Sequence, residues 1–440
     1  MDLTQLLPQL GGGLFTLLMF VVSLSIIVAI HEYGHYIVGR WSGIHAEVFS
    51  IGFGPVLFAR TDKRGTVWQI AALPFGGYVK FLGDANAASV GGTEAMPGRE
   101  ARNTMLGAPL WARAATVAAG PMFNFMLSII LFAGFIMATG SPREPMTYSA
   151  EVALPPAYAS DMLPDDEILF VGSIAMGGDE SLDSLPITDR VNYTVRRDGD
   201  EIVVEGPYPL PPRASGVTPR SAADDAGLRI GDVITAVDAE PVFAFQQLID
   251  IVNAADGRDL NLTVWREGDT RAVTLAPRRM DLPQPDGSFQ TRWLIGITGD
   301  LFFDVARDNI APWTAIWLGM QQLWMSIITS LSALAHIVTG AISTCNLFGP
   351  VGIAQTSATM ASQGASSFVL FIGMLSAAVG LLNLFPIPVL DGGHLVFHAY
   401  EAITRRKPSD RALNVLMMTG MAMIGTLMFF ALLNDLVLCP

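Results

Sequence analysis

Long apolar runs alternate with polar stretches along this chain, and four of the runs are long enough to cross a bilayer as helices. A helix rises about 1.5 Å per residue, so roughly 20 apolar residues cover the hydrocarbon core of a membrane. The four predicted spans are residues 14–38, 114–138, 368–390 and about 412–433. The pattern therefore predicts a polytopic α-helical membrane protein.

A fifth apolar run, residues 311–342, has a different pattern. Its large apolar residues, among them Trp313, Trp317 and Trp324, fall at helical spacing, with glutamines and serines between them. Amphipathic helices rich in tryptophan tend to lie at the membrane interface. We therefore expect a surface helix here, which leaves four transmembrane helices.

Two other regions have the short runs that are typical of strands. Residues 67–72 and 77–82 are strand-like runs separated by Pro and Gly, which is typical of a β-hairpin. Further along, Asn192–Asp200 is repeated by Asn261–Asp269 at an offset of 69 residues. Such self-similarity predicts two β-rich modules in tandem.

Composition agrees with a membrane protein that carries a water-exposed insert. The chain has 440 residues, of which 51% are hydrophobic and 15% charged, and its net charge is -14. Residues 140–312 hold 29 Asp and Glu against 14 Lys and Arg, so they account for the acidic excess. An acidic insert argues against nucleic acid as a partner.

The placement of basic residues predicts the orientation in the membrane. Residues 1–39 and 412–440 contain no Lys or Arg, whereas the loop between the first two spans and the loop between the last two are rich in both. Because basic loops stay in the cytoplasm, we expect both termini and the acidic insert on the opposite side.

The first span carries the most informative candidate site, His31-Glu32-Tyr33-Gly34-His35. Histidines at i and i+4 share one helix face, and both can bind one Zn²⁺ while Glu32 deprotonates a bound water. Glu32 is the one charged residue of that apolar run. A carboxylate at lipid depth is costly, so a functional site is the default interpretation.

Asp391 is the candidate third ligand, since it is the only carboxylate between Asp308 and Glu401. If residues 311–342 lie on the surface, the third span delivers Asp391 to the cytoplasmic side, at the depth of the histidine pair. Two histidines and one carboxylate leave a fourth position for water, as in catalytic zinc sites.

The residues before Asp391 are also unusual for a membrane span. Pro386 and Pro388 are expected to break the helix beside the site and to free backbone groups that line a cavity. Asn383, just before them, is a candidate to orient the carbonyl of a substrate peptide.

Taken together, these motifs resemble the site-2 protease family of intramembrane zinc metalloproteases, of the bacterial regulator-of-sigma-E protease type. The resemblance covers nearly the whole chain. The matching segments are His31–His35, Phe49–Pro55, Ala72–Gly83, Gly120–Phe125, Gly349–Gln355 and Asn383–His394.

The resemblance implies roles for the candidate residues. His31, His35 and Asp391 would be the zinc ligands, Glu32 the catalytic acid/base, and Asn383 a substrate-contacting residue. Residues 48–82 would form the membrane-associated β loop of the family.

The acidic insert resembles PDZ domains of the circularly permuted bacterial kind. In the first copy, Asp161 and Asp165 stand where the second has Gly227 and Gly231, so we interpret it as degenerate. Two roles remain open: binding of extended peptides, or a steric filter that excludes untrimmed substrates.

The expected domain order follows from these segments. Residues 1–139 hold two spans and the β loop, 140–212 the degenerate first PDZ domain and 213–282 the second. Residues 283–345 are expected as a linker and surface helix, and 346–440 as the last two spans. Cys345 and Cys439 are expected to be inert thiols.

The sequence therefore predicts a zinc endopeptidase of the bacterial inner membrane that cleaves single-pass membrane proteins in or near their transmembrane helix. Its expected partners are those substrates, membrane lipid and ligands of the PDZ domains. One alternative is a membrane-tethered PDZ scaffold with a vestigial metal site. Another is a zinc transporter, but this would require further polar residues along the spans, and these are scarce.

Overall fold

A computed structural model describes residues 12–83, 102–176, 181–284 and 288–438. The expected positions of the two chain ends, and of Cys439, lie outside the described residues. The chain divides into two compact units. The first comprises residues 1–135, 313–335 and 344–440, and the second comprises residues 136–312 and 336–343.

The first unit opens with two long apolar helices and a β-structure between them. Helix α1, Gly12–Trp41, contains the first predicted span and extends it at both ends. Strands β1, Ala46–Thr61, and β2, Val67–Phe81, follow. Helix α2, Leu110–Thr139, contains the second predicted span and includes Pro121.

Strands β1 and β2 are long and bent, so they pair with each other twice. Residues 46–53 pair with residues 67–73 on one side and with residues 77–81 on the other. Residues 56–61 pair with the opposite edge of residues 67–73. Residues 77–81 are therefore an edge segment of the expected β loop. Tyr36 of α1 anchors the loop, since its ring packs edge-on against Phe49 and Trp68 at centroid distances of 5.8 and 5.0 Å.

The second unit is built from short strands and two short helices. In chain order they are β3 Ser141–Pro142, β4 Tyr148–Glu151, β5 Glu167–Val171, β6 Ile174–Ala175, β7 Val191–Arg197, β8 Asp200–Gly206, β9 Gly216–Val217, α3 Ala222–Asp225, β10 Val233–Val237, β11 Glu240–Pro241, α4 Phe245–Ala254, β12 Leu260–Arg266, β13 Asp269–Leu275, β14 Arg278–Pro283, β15 Phe289–Leu294, β16 Ile297–Thr298, β17 Phe303–Val305 and β18 Arg307–Asp308.

The sequence repeat corresponds to two four-stranded sheets of the same order. One sheet is β6-β5-β7-β8 and the other β11-β10-β12-β13. Helix α4 covers the second sheet with Leu248 and Val252. The first sheet has a three-residue 3₁₀ helix, Leu182–Ser184, in the corresponding part of the chain. Each sheet has its own buried apolar cluster.

The expected linker from residue 283 differs from the structure. Strands β14 and β15 form a hairpin, and β16, β17 and β18 then pair with β9, β4 and β3. Ile295 enters the apolar cluster of the second sheet, and Phe302 and Phe303 enter that of the first. These residues belong to the β-rich unit because their large side chains complete both cores.

Helix α5, Pro312–Thr339, is the fifth apolar run. Within the described residues, five helices are long and apolar enough to cross a membrane, and α5 is one of them. The residues on both sides of α5 belong to the second unit.

The chain ends with four helices: α6 Pro350–Ser362, α7 Ala365–Asn383, α8 Asp391–Thr404 and α9 Asp410–Leu433. The third predicted span extended to residue 390, but α7 ends at Asn383. Residues 384–390 are irregular because Pro386 and Pro388 supply no backbone N–H. The fourth predicted span lies within α9.

The expectation of inert thiols was wrong for Cys345, which is disulfide-bonded. No free cysteine occurs among the described residues. The end of α9 is tied to the same part of the chain, since Asn434 donates to the carbonyls of Thr344 and Leu347. The Asp435 carboxylate accepts from backbone amides at the start of α6, 3.1 and 2.9 Å away. These hydrogen bonds join the end of α9 to the start of α6.

Candidate metal centre

Three potential ligands from two helices converge in the first unit. His31 and His35 lie one turn apart on α1, and Asp391 is the first residue of α8. The Nε2 atoms of the two histidines are 3.2 Å apart. Asp391 Oδ2 lies 3.2 Å from His31 Nε2 and 3.5 Å from His35 Nε2. The structure thus brings together the residues that the sequence predicts as ligands.

The separations fit a tetrahedral zinc ion. With Zn–N and Zn–O bonds of about 2.0–2.1 Å, tetrahedral ligand atoms are about 3.3 Å apart. The three observed separations bracket that value. Asp391 Oδ2 is buried and has no hydrogen bond of good geometry to any described residue. A metal ion held by these three atoms would satisfy this buried oxygen, and a fourth ligand position would remain for water.

Glycines allow the helices to approach this closely. A Cβ on Gly120 of α2 would collide with the rings of His31 and His35. Gly392 and Gly393 at the start of α8 press against the carbonyls of Phe385 and Ile387, where the chain turns after α7. Both close approaches exclude a side chain larger than hydrogen.

Helix α2 also orients both imidazole rings. His35 Nδ1 is 2.8 Å from the Thr116 carbonyl oxygen, so it carries a proton and leaves Nε2 free for a metal. His31 Nδ1 is 3.2 Å from Asn124 Nδ2, and Asn124 is fully buried. The Gly120–Phe125 motif pointed to this region, but sequence reasoning assigned no role to Thr116 or Asn124.

Glu32 lies beside His31 and against the β loop. A Cβ on Gly77 would lie 3.1 Å from Glu32 Cγ. The edge segment 77–81 therefore passes directly by the candidate general base.

Asn383 is the last residue of α7 and precedes the irregular segment that leads to Asp391. It is half-buried. Within the described part of the chain, no hydrogen bond joins it to His31, His35 or Asp391. Its expected contact with substrate therefore stays a prediction.

A buried ion pair links α2 to the helix that begins with Asp391. Arg113 donates to both carboxylate oxygens of Glu401, at 3.0 and 2.7 Å. Arg113 also donates to the Ala108 carbonyl. Because α8 carries both Asp391 and Glu401, the pair fixes the far end of the ligand-bearing helix. Sequence reasoning missed it, since the two residues are 288 positions apart.

The chain is similar to known proteins along almost its full length. The model of Peptidase family M50 matches residues 19–427. The protein named "Putative zinc metalloprotease Atu1380" of Agrobacterium fabrum is 36% identical over 421 residues, which are 95% of this chain and 94% of that protein. "Regulator of sigma-E protease RseP" of Escherichia coli is 31% identical over an alignment of 455 positions that covers 96% of this chain and 98% of that protein.

Proposed function

The chain belongs to peptidase family M50, and from this premise we propose that it is an intramembrane endopeptidase that cleaves single-pass membrane proteins within or near their transmembrane segment. The family and its relatives establish a zinc metalloprotease, which confirms the expected enzyme class and cofactor. The observation that carries the proposal is the set of three ligand atoms 3.2–3.5 Å apart, with Glu32 next to them.

We assign the chemistry to residues of the two helices. His31, His35 and Asp391 would hold the zinc ion, which when bound polarises the scissile carbonyl and acidifies a bound water. Glu32 accepts the proton of the attacking water. As the C–O bond forms and the C–N bond breaks, Glu32 returns that proton to the leaving amine.

The edge segment 77–81 supports a way of presenting the substrate. A peptide bond in a helix has its carbonyl engaged, so the substrate must unwind locally before attack. A strand at the edge of a sheet can hold the unwound segment by strand addition. Since this edge lies against Glu32, a substrate strand added to it would pass the metal. We propose that Asn383 contacts the same segment.

Four transmembrane helices remain the proposed topology, with α5 on the outer surface. Both flanks of α5 belong to the second unit, which favours one side of the membrane for both. The disulfide at Cys345 supports an oxidising compartment there. The basic loops support a cytoplasmic position for the metal centre. We propose the inner membrane of a bacterium, with both termini and the second unit in the periplasm.

The two matched sheets support a tandem pair of PDZ domains. Asp165 adopts φ of 70° where the second copy has Gly231 at 96°, so the same turn occurs in both. We propose that the second domain binds an extended peptide or that the pair excludes substrates whose outer part is intact. The name of the Escherichia coli relative supports a regulatory role, and we include anti-sigma factors and signal-peptide remnants among the proposed substrates.

Neither alternative is favoured. A scaffold with a vestigial site would not need three ligand atoms at the separations of a zinc site. A transporter would need polar groups along the spans, and the relatives carry protease names.

Co-expression with a tagged single-pass protein tests the proposal. We expect Glu32→Gln to abolish cleavage and retain zinc, and Asp391→Asn to lose both. Glu201→Gln, an exposed site in the second unit, is the matched control and should cleave normally. Cleavage that survives Glu32→Gln would reject the mechanism, and full zinc content in Asp391→Asn would remove that ligand.

A further inference from the structure

Asn124 presents a buried amide to one of the ligand histidines. It lies on α2, is 0% exposed, and places Nδ2 3.2 Å from His31 Nδ1. Its Oδ1 is also buried and has no hydrogen-bond partner among the described residues. An amide in an apolar helix is costly unless its groups are paired, so this arrangement requires an explanation.

The chemistry of a metal-binding histidine supplies one. His31 presents Nε2 to His35 and Asp391, so in the neutral ring the proton sits on Nδ1. That N–H needs an acceptor, but the atom facing it is the amide nitrogen of Asn124, which is a donor. Exchanging the oxygen and nitrogen positions of the amide leaves its shape unchanged and brings Oδ1 to His31 Nδ1.

We propose that Asn124 is a positioning residue for the metal centre. Its amide oxygen accepts the Nδ1–H of His31, which sets the tautomer and the ring plane and keeps the Nε2 lone pair on the metal. This inference rests on the proposed function insofar as His31 is a zinc ligand.

The second histidine shows the same arrangement with a group whose role is unambiguous. His35 Nδ1 is 2.8 Å from the Thr116 carbonyl oxygen, which can only accept. Thr116 and Asn124 are both on α2, and Gly120 lies midway between them against the two rings. Helix α2 thus places one acceptor at Nδ1 of each histidine. The two acceptors lie one turn before and one turn after Gly120, where α2 comes closest to the imidazole rings.

Asn124 is itself held in place from a third helix. Its backbone carbonyl accepts a hydrogen bond from Ser376 of α7, with 2.9 Å between Oγ and O. Ser376 is fully buried. The amide is therefore fixed with respect to both α2 and α7, as a group that orients a ligand must be.

Two substitutions test whether the Asn124 amide accepts a hydrogen bond from His31 or donates one to it. Asn124→Asp keeps an acceptor of the same shape and removes the donor, whereas Asn124→Leu removes both. In the purified full-length protein, zinc affinity is measured by chelator competition, and the ligand field by the visible spectrum of the cobalt form. Gly134→Ala, on the same helix at a position where a Cβ would have nothing within 4 Å, is the control.

We expect Asn124→Leu to weaken zinc binding about 10- to 100-fold and to alter the cobalt spectrum. Asn124→Asp should stay within a few-fold of wild type in affinity with a tetrahedral spectrum, and Gly134→Ala should match wild type. If Asn124→Leu does not fold, Asn124→Ala removes the same acceptor with less bulk and should show the same loss.

Two results would overturn the inference. If zinc affinity falls as far in Asn124→Asp as in Asn124→Leu, the amide donates to His31. If zinc affinity is unchanged in the leucine or alanine variant, the side chain of Asn124 only packs. A wild-type protein that binds no zinc would instead reject the metal centre itself, so the two failures are distinguishable.

Discussion

Arg113 and Glu401 form a two-pronged ion pair, with N–O distances of 3.0 and 2.7 Å, that joins α2 to α8. Both side chains are largely buried, at 10% and 17% exposure. Helix α8 supplies Asp391, and α2 orients the two histidines. The pair therefore connects the helix that carries Asp391, the third candidate ligand, to the helix that contacts the two candidate histidines.

Breaking this pair is expected to loosen the metal centre without touching it. Arg113→Gln leaves the Glu401 carboxylate without its partner and should cost about 2 kcal/mol of unfolding free energy. Arg113→Lys keeps the charge but not the planar fork, so its loss should be smaller. Thermal unfolding and zinc release in detergent measure both effects. Equal stability of wild type and Arg113→Gln would show that the pair is dispensable.

Adding one methyl group at Gly120 is expected to displace the ligands. The new Cβ would meet the rings of His31 and His35. We expect Gly120→Ala to lower zinc affinity at least about tenfold, because the rings cannot move without losing their Nδ1 partners.

Gly134→Ala on the same helix is the matched control, since its Cβ would have nothing within 4 Å. It should bind zinc as wild type does. Metal content after dialysis against a chelator compares the two variants, and equal retention would contradict the close approach of α2 to the site.

Acid is expected to destabilise the first sheet of the second unit through Asp166. Burial opposes the charge of this carboxylate, but the Arg197 guanidinium, 2.7 Å away, outweighs it and holds the pKa of Asp166 below its usual 3.8. A lowered pKa in the folded state stabilises the fold above pH 3.8, and that stability is lost as the pH falls through the folded value.

Hydrogen-exchange protection, corrected for the intrinsic rates, tests this in peptides from residues 140–212. Asp166→Asn should reduce protection at pH 7 by the equivalent of about 2 kcal/mol and should remove the contribution of this group to the acid dependence. Asp200→Asn, at an exposed position, should behave as wild type. An unchanged acid dependence in Asp166→Asn would assign it to other groups.

Thiol labelling tests the disulfide and the orientation together. The chain has two cysteines, so we expect Cys439 to be the partner of Cys345. A membrane-impermeant maleimide should leave the wild type unlabelled in cells and should label Cys345 in Cys439→Ser.

The control is Arg406→Cys in a chain that lacks both natural cysteines. That thiol is predicted to face the cytoplasm and should react only after the membrane is permeabilised. Labelling of both sites from outside would overturn the proposed topology.

Local patterns in the sequence were sufficient for the features that depend on neighbours along the chain. The histidine pair follows from the i, i+4 spacing of one helix, and the long apolar helices follow from run length. The repeat at an offset of 69 predicted two similar modules, and the structure has two sheets of one strand order. The family resemblance rested on such local motifs and was confirmed by the comparisons.

The features that were missed depend on contacts between distant residues. Nothing in residues 297–308 marks them as partners of strands that lie 80 or more positions earlier, because a short strand pairs through backbone groups that every residue carries. Likewise, nothing in the sequence distinguishes Arg113 and Glu401 from ordinary surface charges, because their pairing depends on the packing of α2 against α8.

The sequence was sufficient to predict a catalytic metal site, since two histidines, a glutamate and an aspartate in apolar surroundings have few other uses. The relative orientation of these groups depends on how α1, α2 and α8 pack. Ligand orientation depends on which backbone carbonyl or amide faces each imidazole, and Thr116 and Asn124 reach His35 and His31 only when α2 crosses α1 at Gly120.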